Sequence, residues 1–326
     1  MKTYPNSKAL VLAKRKDLDG RRLFIESFGF KQLYFIDDMG FDYDYAISIG
    51  WGSYHVNKYL CRDKNLLHIE GAYLRSFLMD RSGSIFDEAR CFFVDTLGWH
   101  YDPNHPSLIE NLLNTYQVTD EQKQRASNFI KLLIDNKVTK FNDQLELVDL
   151  PKGHNVLVVD STVKDQAVLK SGGTDNSFTQ LLSSAIKENP DSNIIVKLHP
   201  DSLNNRRSGY YDNLTNPNIH LVNVKVNPFD MLSQVDKVYT FSSTLGIESL
   251  MMQKETHVFG MPCYAGWGLT HDRMVSKKRK RKLTIEELVY IIYFVYTQYI
   301  DESPEDYVKH LLDLKREYIK CLNTYK

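Results

Sequence analysis

Short apolar runs of about five residues, rich in Val, Ile, Tyr and Phe, alternate along the chain with longer stretches whose apolar positions recur every three or four residues. That alternation of strand-like and helix-like periods predicts an α/β fold with a largely parallel sheet. In the first half the runs predict strands at 9–13, 32–37, 45–50, 66–70 and 91–95. Helical spacing predicts helices at 18–28, 53–63, 106–115 and 119–135, with Pro106 suited to a first turn. Residues 136–155 lose this period and end in Pro151 and Gly153, which places a boundary between a first domain, 1–145, and a second, 150–283.

The second half restarts the alternation, with strands expected at 155–160, 193–199, 219–223, 237–241 and 256–260 and helices at 175–188 and 244–253. From Thr284 the pattern is helical. Thr284 and Glu287 have the spacing of a capping box, and 284–326 is expected as helices packing back on the two domains. Two α/β halves predict two Rossmann-like domains facing a cleft, with ligands at the carboxyl ends of the strands.

Composition sharpens this modestly. At 326 residues, two domains of ordinary size are expected, and 42% apolar with 25% charged residues describes a globular protein. The 41 basic and 41 acidic residues cancel, so no global field draws the chain to nucleic acid and anion binding must be local. Cys61, Cys91, Cys263 and Cys321 form no C-x-x-C pair, so they are read as free thiols of a reducing compartment. The first residues lack a signal-peptide pattern, and the longest apolar run, 288–296, is far short of the ~20 residues that span a bilayer. A cytoplasmic protein is expected.

Candidate chemistry collects at predicted strand ends. "VVDSTVKDQA" sets Asp160, Ser161 and Asp165 just past one strand. "VKLHPD" puts Lys197, His199 and Asp201 on one face at period two, though a polar strand edge would look the same. "YTFSSTLGIESLM" carries Ser242, Ser243 and Thr244 into a helix start, an anion site by its free N–H groups. Glu248 in the first turn suits a ribose diol; a plain N-cap with a helix-dipole carboxylate is the competing account. No P-loop and no G-x-G-x-x-G follows any strand.

"HVFGMPCYAGWGLTHDR" (257–273) follows a strand, and its Tyr264 and Trp267 are expected to stack on a base or sugar while the glycines admit close approach. Asp42-Tyr43-Asp44 has the D-x-D pattern of metal-dependent sugar transferases but precedes a strand, so it reads as a solvated turn. No His or Cys cluster has metal-ligand spacing. The run "KKRKRK" (277–282) reads as a solvated charge block, as a nucleic-acid or nuclear-import patch or, with an aromatic amphipathic helix after it, as a surface for anionic lipid.

Together these motifs resemble one family, the bacterial capsule polysaccharide β-Kdo transferases. "FGMPCYAGWGLTHDR" carries most of the resemblance, supported by "IIVKLHPD", "SSTLGIESL", "HIEGAYLRS" and "VDTLGWHYDPNHPSLIENLL", over residues 45 to 302 or so. The resemblance implies a GT-B fold with the acceptor mainly on the first domain and the nucleotide sugar mainly on the second. It also implies a CMP-β-Kdo donor, no further cofactor, no metal and retention of configuration.

It implies roles as well: Asp165 as nucleophile, His199 stabilising charge or itself taking the sugar, and Glu70 as base for the incoming hydroxyl. Lys197, Ser242, Ser243, Thr244, Glu248, Tyr264, Trp267 and Arg273 would bind the donor, and Arg75 would bind acceptor anions. The acceptor would be a glycan, lipid-linked in capsule systems, met at the inner face of the inner membrane with Lys277–Lys282 on anionic lipid. The chain departs from the family where relatives read Gly-Gln and it has Asp160-Ser161, and where they read Glu-Asp-Gly and it has Glu70-Gly71-Ala72. Relatives often carry two such modules.

Overall fold

The computed structural model describes residues 2–14, 22–38, 42–49, 65–78 and 88–324. The helix expected at 53–63 and Cys61 lie outside them. The first half runs β1 (Lys8–Val11), α1 (Arg22–Ser27), β2 (Gln32–Phe35), β3 (Tyr45–Ile49), β4 (Asn65–Gly71), β5 (Cys91–Asp95), α2 (Leu108–Thr115) and α3 (Asp120–Asn136). The second runs β6 (Asn155–Val159), α4 (Gln166–Lys170), α5 (Asp175–Glu188), β7 (Asn193–Lys197), α6 (Pro200–Leu203), β8 (Ile219–Val222) and α7 (Pro228–Leu232). It continues through β9 (Lys237–Thr240), α8 (Leu245–Met251), β10 (Glu255–Val258) and β11 (His271–Asp272).

The second sheet has the order β11-β10-β9-β6-β7-β8 and is parallel throughout. All five residues of β6 are buried, as a strand covered on both faces requires. The order reverses between β6 and β9, so their carboxyl ends open a crevice where such sheets bind ligands. The first sheet has the order β12-β5-β4-β3-β1-β2, where β12 is Thr297–Tyr299 of the tail. Its β2, β1, β3 and β4 are parallel, while β5 runs antiparallel to β4.

The tail is not helical throughout. After α9 (Ile285–Tyr290) the apolar run becomes π-helical over Ile291–Tyr296, and β12 (Thr297–Tyr299) then pairs antiparallel with β5 before α10 (Pro304–Thr324). Periodicity could not separate these, because Ile291, Ile292, Tyr293 and Tyr296 are all buried and show no polar face to mark a helix end. Thr284 caps α9, with both capping-box bonds formed.

One core cluster crosses the halves. Tyr73, Phe93 and Leu113 of the first pack in it with Ile247, Met261 and Trp267 of the second and Tyr293 of the tail.

Candidate active site

A cavity of about 470 Å³ opens between the carboxyl edges of the two sheets. The first half contributes Glu70 from the end of β4, then Tyr73 and Arg75, and His100 and Tyr101 after β5. The second contributes Asp165 after β6, His199 after β7 and Ser242–Thr244 after β9. Of the residues singled out from sequence, Glu70, Arg75, Asp165, His199, Ser242, Ser243 and Thr244 all line this one space.

Each has a local cause. Asp165 caps α4, one carboxylate oxygen accepting from the Ala167 N–H at 2.9 Å, while the other lies 3.9 Å from Arg207. His199 caps α6, where Nδ1 accepts from the Asp201 N–H at 3.0 Å. That bond leaves the ring proton on Nε2. Burial, seconded by Lys197, Lys140 and Arg207, lowers the imidazole to about 3, so it is a neutral hydrogen-bond donor. Glu70 accepts from the Gly71 N–H at 3.0 Å. A Cβ on Gly71 would come within 3.0 Å of the Arg75 side chain, so the glycine lets Arg75 pack against this turn.

Lys197 and Glu248 sit deeper. They line a smaller cavity of about 110 Å³ that shares Lys140, Phe141, His199, Ser243 and Thr244 with the main one. Glu248 accepts from the Thr139 hydroxyl, and burial raises its carboxyl to about 7 against the pull of that bond and of Lys197 and Lys140. Burial lowers Lys197 to about 8, opposed by Glu248 and Asp160. Asp160, at the first point of departure from the family pattern, is buried and raised to about 6 by desolvation. It accepts from the Ser161 and Tyr210 N–H groups and lines only the smaller cavity.

Three donor-site expectations are corrected. Tyr264 and Trp267 are fully buried and stack on no ligand space. Tyr264 donates its hydroxyl to the Ser243 carbonyl at 2.6 Å, and Trp267 donates its ring N–H to the Cys263 carbonyl at 2.7 Å. The glycines beside them hold left-handed turns, φ 80° at Gly266 and 81° at Gly268, that turn the rings inward. The open sides of those glycines are filled by Arg279 and Lys282. What the loop offers the cavity is Pro262 and Cys263. Arg273 lies after β11 at the sheet edge, bound to Glu188 at 2.6 Å and set over the Phe259 ring, and it does not line the cavity.

The basic run is also divided. The Arg279 side chain is 3% exposed, paired with Glu110 and bonded to the Pro262 and Ala265 carbonyls, and Arg281 bonds Tyr116 and Glu287. Lys277, Lys278, Lys280 and Lys282 remain exposed.

Asp42 and Asp44 engage Lys8, at the amino end of the first sheet and away from the cavity. Strand pairing does bring Glu255, His257 and His271 together, with possible ligand atoms within 4.8 Å of one another, which sequence spacing had not shown. Lys237 holds Glu255 at 3.2 Å and the two imidazoles stack face to face at 4.7 Å, so their in-plane lone pairs do not converge.

Sequence reasoning missed Lys140, which lines both cavities, as well as Lys164 and Arg207 at the mouth of the larger one. Lys140 lies in the aperiodic linker, where no strand end or helix start drew attention.

Known proteins share the sequence and the fold of this chain. The family model described as "Capsule polysaccharide biosynthesis protein" matches residues 136–300. "Capsule polysaccharide modification protein LipA" of Neisseria meningitidis serogroup A is 29% identical over 294 residues, 82% of this chain and 41% of LipA. "Lipopolysaccharide-processing protein LpsZ" of Rhizobium meliloti is 32% identical over 217 residues, 63% of this chain and 48% of LpsZ. The chain thus spans less than half the length of these relatives. Among solved structures, "Thermosulfurimonas dismutans KpsC, beta Kdo 2,4 transferase" superposes with a TM-score of 0.83 at 30% identity, covering 93% of this chain and 97% of that one. "Thermosulfurimonas dismutans KpsC, beta Kdo 2,7 transferase" gives 0.71 at 21% identity over 95% and 100%, a likeness of fold. The two-domain architecture is therefore GT-B-like.

Proposed function

The chain belongs to the capsule polysaccharide biosynthesis protein family, and we propose that it is a β-Kdo glycosyltransferase of capsule or surface polysaccharide synthesis. The observation that carries the proposal is the meeting of Glu70 and Asp165, one from each half, in a single cavity that also holds Arg75, Lys140, Lys164 and Arg207. Four cations suit a donor and an acceptor that both carry negative charge. The likeness to a β-Kdo 2,4 transferase supports the sugar.

In this reading CMP-β-Kdo lies against the second half, with its phosphate at Ser242–Thr244. Asp165 attacks the anomeric carbon, the C2–O bond to phosphate breaks, and CMP leaves with the electron pair. The Nε2 proton of His199 supports charge on the departing group. Glu70 then takes the proton of an acceptor hydroxyl as that oxygen displaces Asp165, so two inversions retain the β configuration. Arg75 holds an anionic group of a glycan or glycolipid acceptor. No metal enters these steps, and a chelator should leave turnover unchanged.

The test is CMP release from CMP-Kdo made in situ, with a Kdo-terminated acceptor. Asp165→Asn and Glu70→Gln should each lower turnover by at least ~10²-fold, while the wild type yields a product heavier by one Kdo. A wild type that releases no CMP but turns over another nucleotide sugar would keep the fold and remove the donor.

Among the described residues no helix is long and apolar enough to cross a membrane. The four exposed lysines of the 277–282 run would hold the protein peripherally at the cytoplasmic face, each contributing ~1 kcal/mol on anionic lipid. Replacing all four with Ala should abolish sedimentation with anionic vesicles at low salt; sedimentation unchanged by the replacement would refute this.

A further inference from the structure

Lys140 is fixed from both sides. Its carbonyl accepts from the Arg75 and Ser76 N–H groups at 3.2 and 3.4 Å, and its neighbour Thr139 is tied to Glu248 of the second half. The side chain lines both cavities, yet the ammonium makes no ion pair or hydrogen bond with another described residue. Burial works against its charge, and Glu70, Asp165 and Glu248 favour the charge from a distance while Arg75 opposes it. A half-buried cation between carboxylates of two halves, set 5.9 Å from the Phe141 ring and with no ion-pair partner among the described residues, is matched to an anion supplied by a ligand.

The chemistry of the sugar says which anion. In a 2-ulosonic acid the carboxylate is bonded directly to the anomeric carbon. A carboxylate nucleophile approaching that carbon therefore meets a second carboxylate beside it, and the two repel. We propose that Lys140 is the carboxylate subsite of the cleft: its ammonium pairs with the carboxylate of the transferred ulosonic acid and offsets the repulsion between that group and Asp165. The proposal rests on the Kdo-transferase reading and adds to it the residue that selects an acidic sugar. An aldose donor, with hydrogen in place of the carboxylate, would leave the Lys140 ammonium without an ion-pair partner in the occupied cleft and bind poorly.

The test measures binding, so it does not depend on turnover. The probes are 2-deoxy-β-Kdo, which has no leaving group, and its methyl ester, titrated calorimetrically into the full chain. The wild type should prefer the acid by at least about tenfold, the usual scale of a charged hydrogen bond. Lys140→Met should erase the preference, with a wild-type circular dichroism spectrum verifying that the variant is folded. Lys140→Arg should restore part of it. A Lys140→Met protein that still prefers the acid as the wild type does would overturn the subsite, as would a wild type that binds acid and ester equally. A wild type that binds CMP but neither probe would overturn the Kdo reading and the subsite with it.

Discussion

Arg279 gives the sharpest test of how the basic run is used. Its side chain is 3% exposed, lies 3.2 Å from a Glu110 carboxylate that is 9% exposed, and donates to the carbonyls of Pro262 and Ala265. Its guanidinium also sits 5.6 Å from the centre of the Trp267 ring. Arg279→Met keeps the aliphatic stem and removes the charge. The buried Glu110 then loses its partner, a loss of about 3–5 kcal/mol in comparable pairs. Two carbonyls lose a charged donor, at about 1 kcal/mol or more each before water replaces it.

These terms overlap, and about 4 kcal/mol is expected, close to a thousandfold in the unfolding constant. Lys277→Met, on the exposed part of the same run, should stay within about 0.5 kcal/mol. Adding Glu110→Gln to Arg279→Met should recover at least about 1.5 kcal/mol, since the stranded charge is gone. The assay is guanidinium unfolding followed by tryptophan fluorescence and far-UV circular dichroism, comparing midpoints at equal slope. If Arg279→Met unfolds within about 1 kcal/mol of Lys277→Met, the run is a solvated charge block and its place in the interior is wrong.

Two further outcomes follow from the site. Gly246→Ala would set a Cβ 2.2 Å from the fully buried Tyr264 hydroxyl. It should cost about 2–3 kcal/mol and weaken CMP binding, because Tyr264 anchors Ser243; a second change, Tyr264→Phe, should recover part of the stability. His199, held near 3 in the folded chain against about 6.5 unfolded, contributes stability that is full above ~6.5 and is lost as pH falls. The stability of wild type over His199→Asn, from urea unfolding, should therefore shrink by about 1–2 kcal/mol between about pH 7.5 and pH 5. An unchanged or widening difference would contradict a neutral imidazole.

The strands were legible because each is a short apolar run closed by a turn signal, and in β6 or β7 nothing else fits such a run. The cavity followed from them: once β4, β6, β7 and β9 are parallel strands of open sheets, Glu70, Asp165, His199 and Ser242 must collect at their carboxyl ends. The failures share another cause. Whether a side chain faces a ligand or the core depends on backbone turns that composition does not encode, so Tyr264 and Trp267 read as a stacking surface when Gly266 and Gly268 turn them inward. Arg273 and the Glu255–His257–His271 group depended on β11 joining the sheet edge, and a two-residue strand has no periodicity to detect. Lys140 was hidden in a linker whose irregularity itself places the residue at the centre of the cleft.

The tail strand β12 and the shared core carry a consequence for the cleft between the halves. The chain passes from the first half to the second once, at the linker, and returns at residue 297 to complete the first sheet, while Trp267, Met261 and Tyr293 pack across the junction. Two crossings and an apolar seam remove the freedom that a single tether and a wet interface would leave. Such a gap works as a jig, with its spacing fixed when the polypeptide folds, and not as a jaw. The distance between Glu70 and Asp165 is then a property of the empty cleft, and a ligand that spans both halves must adapt to it.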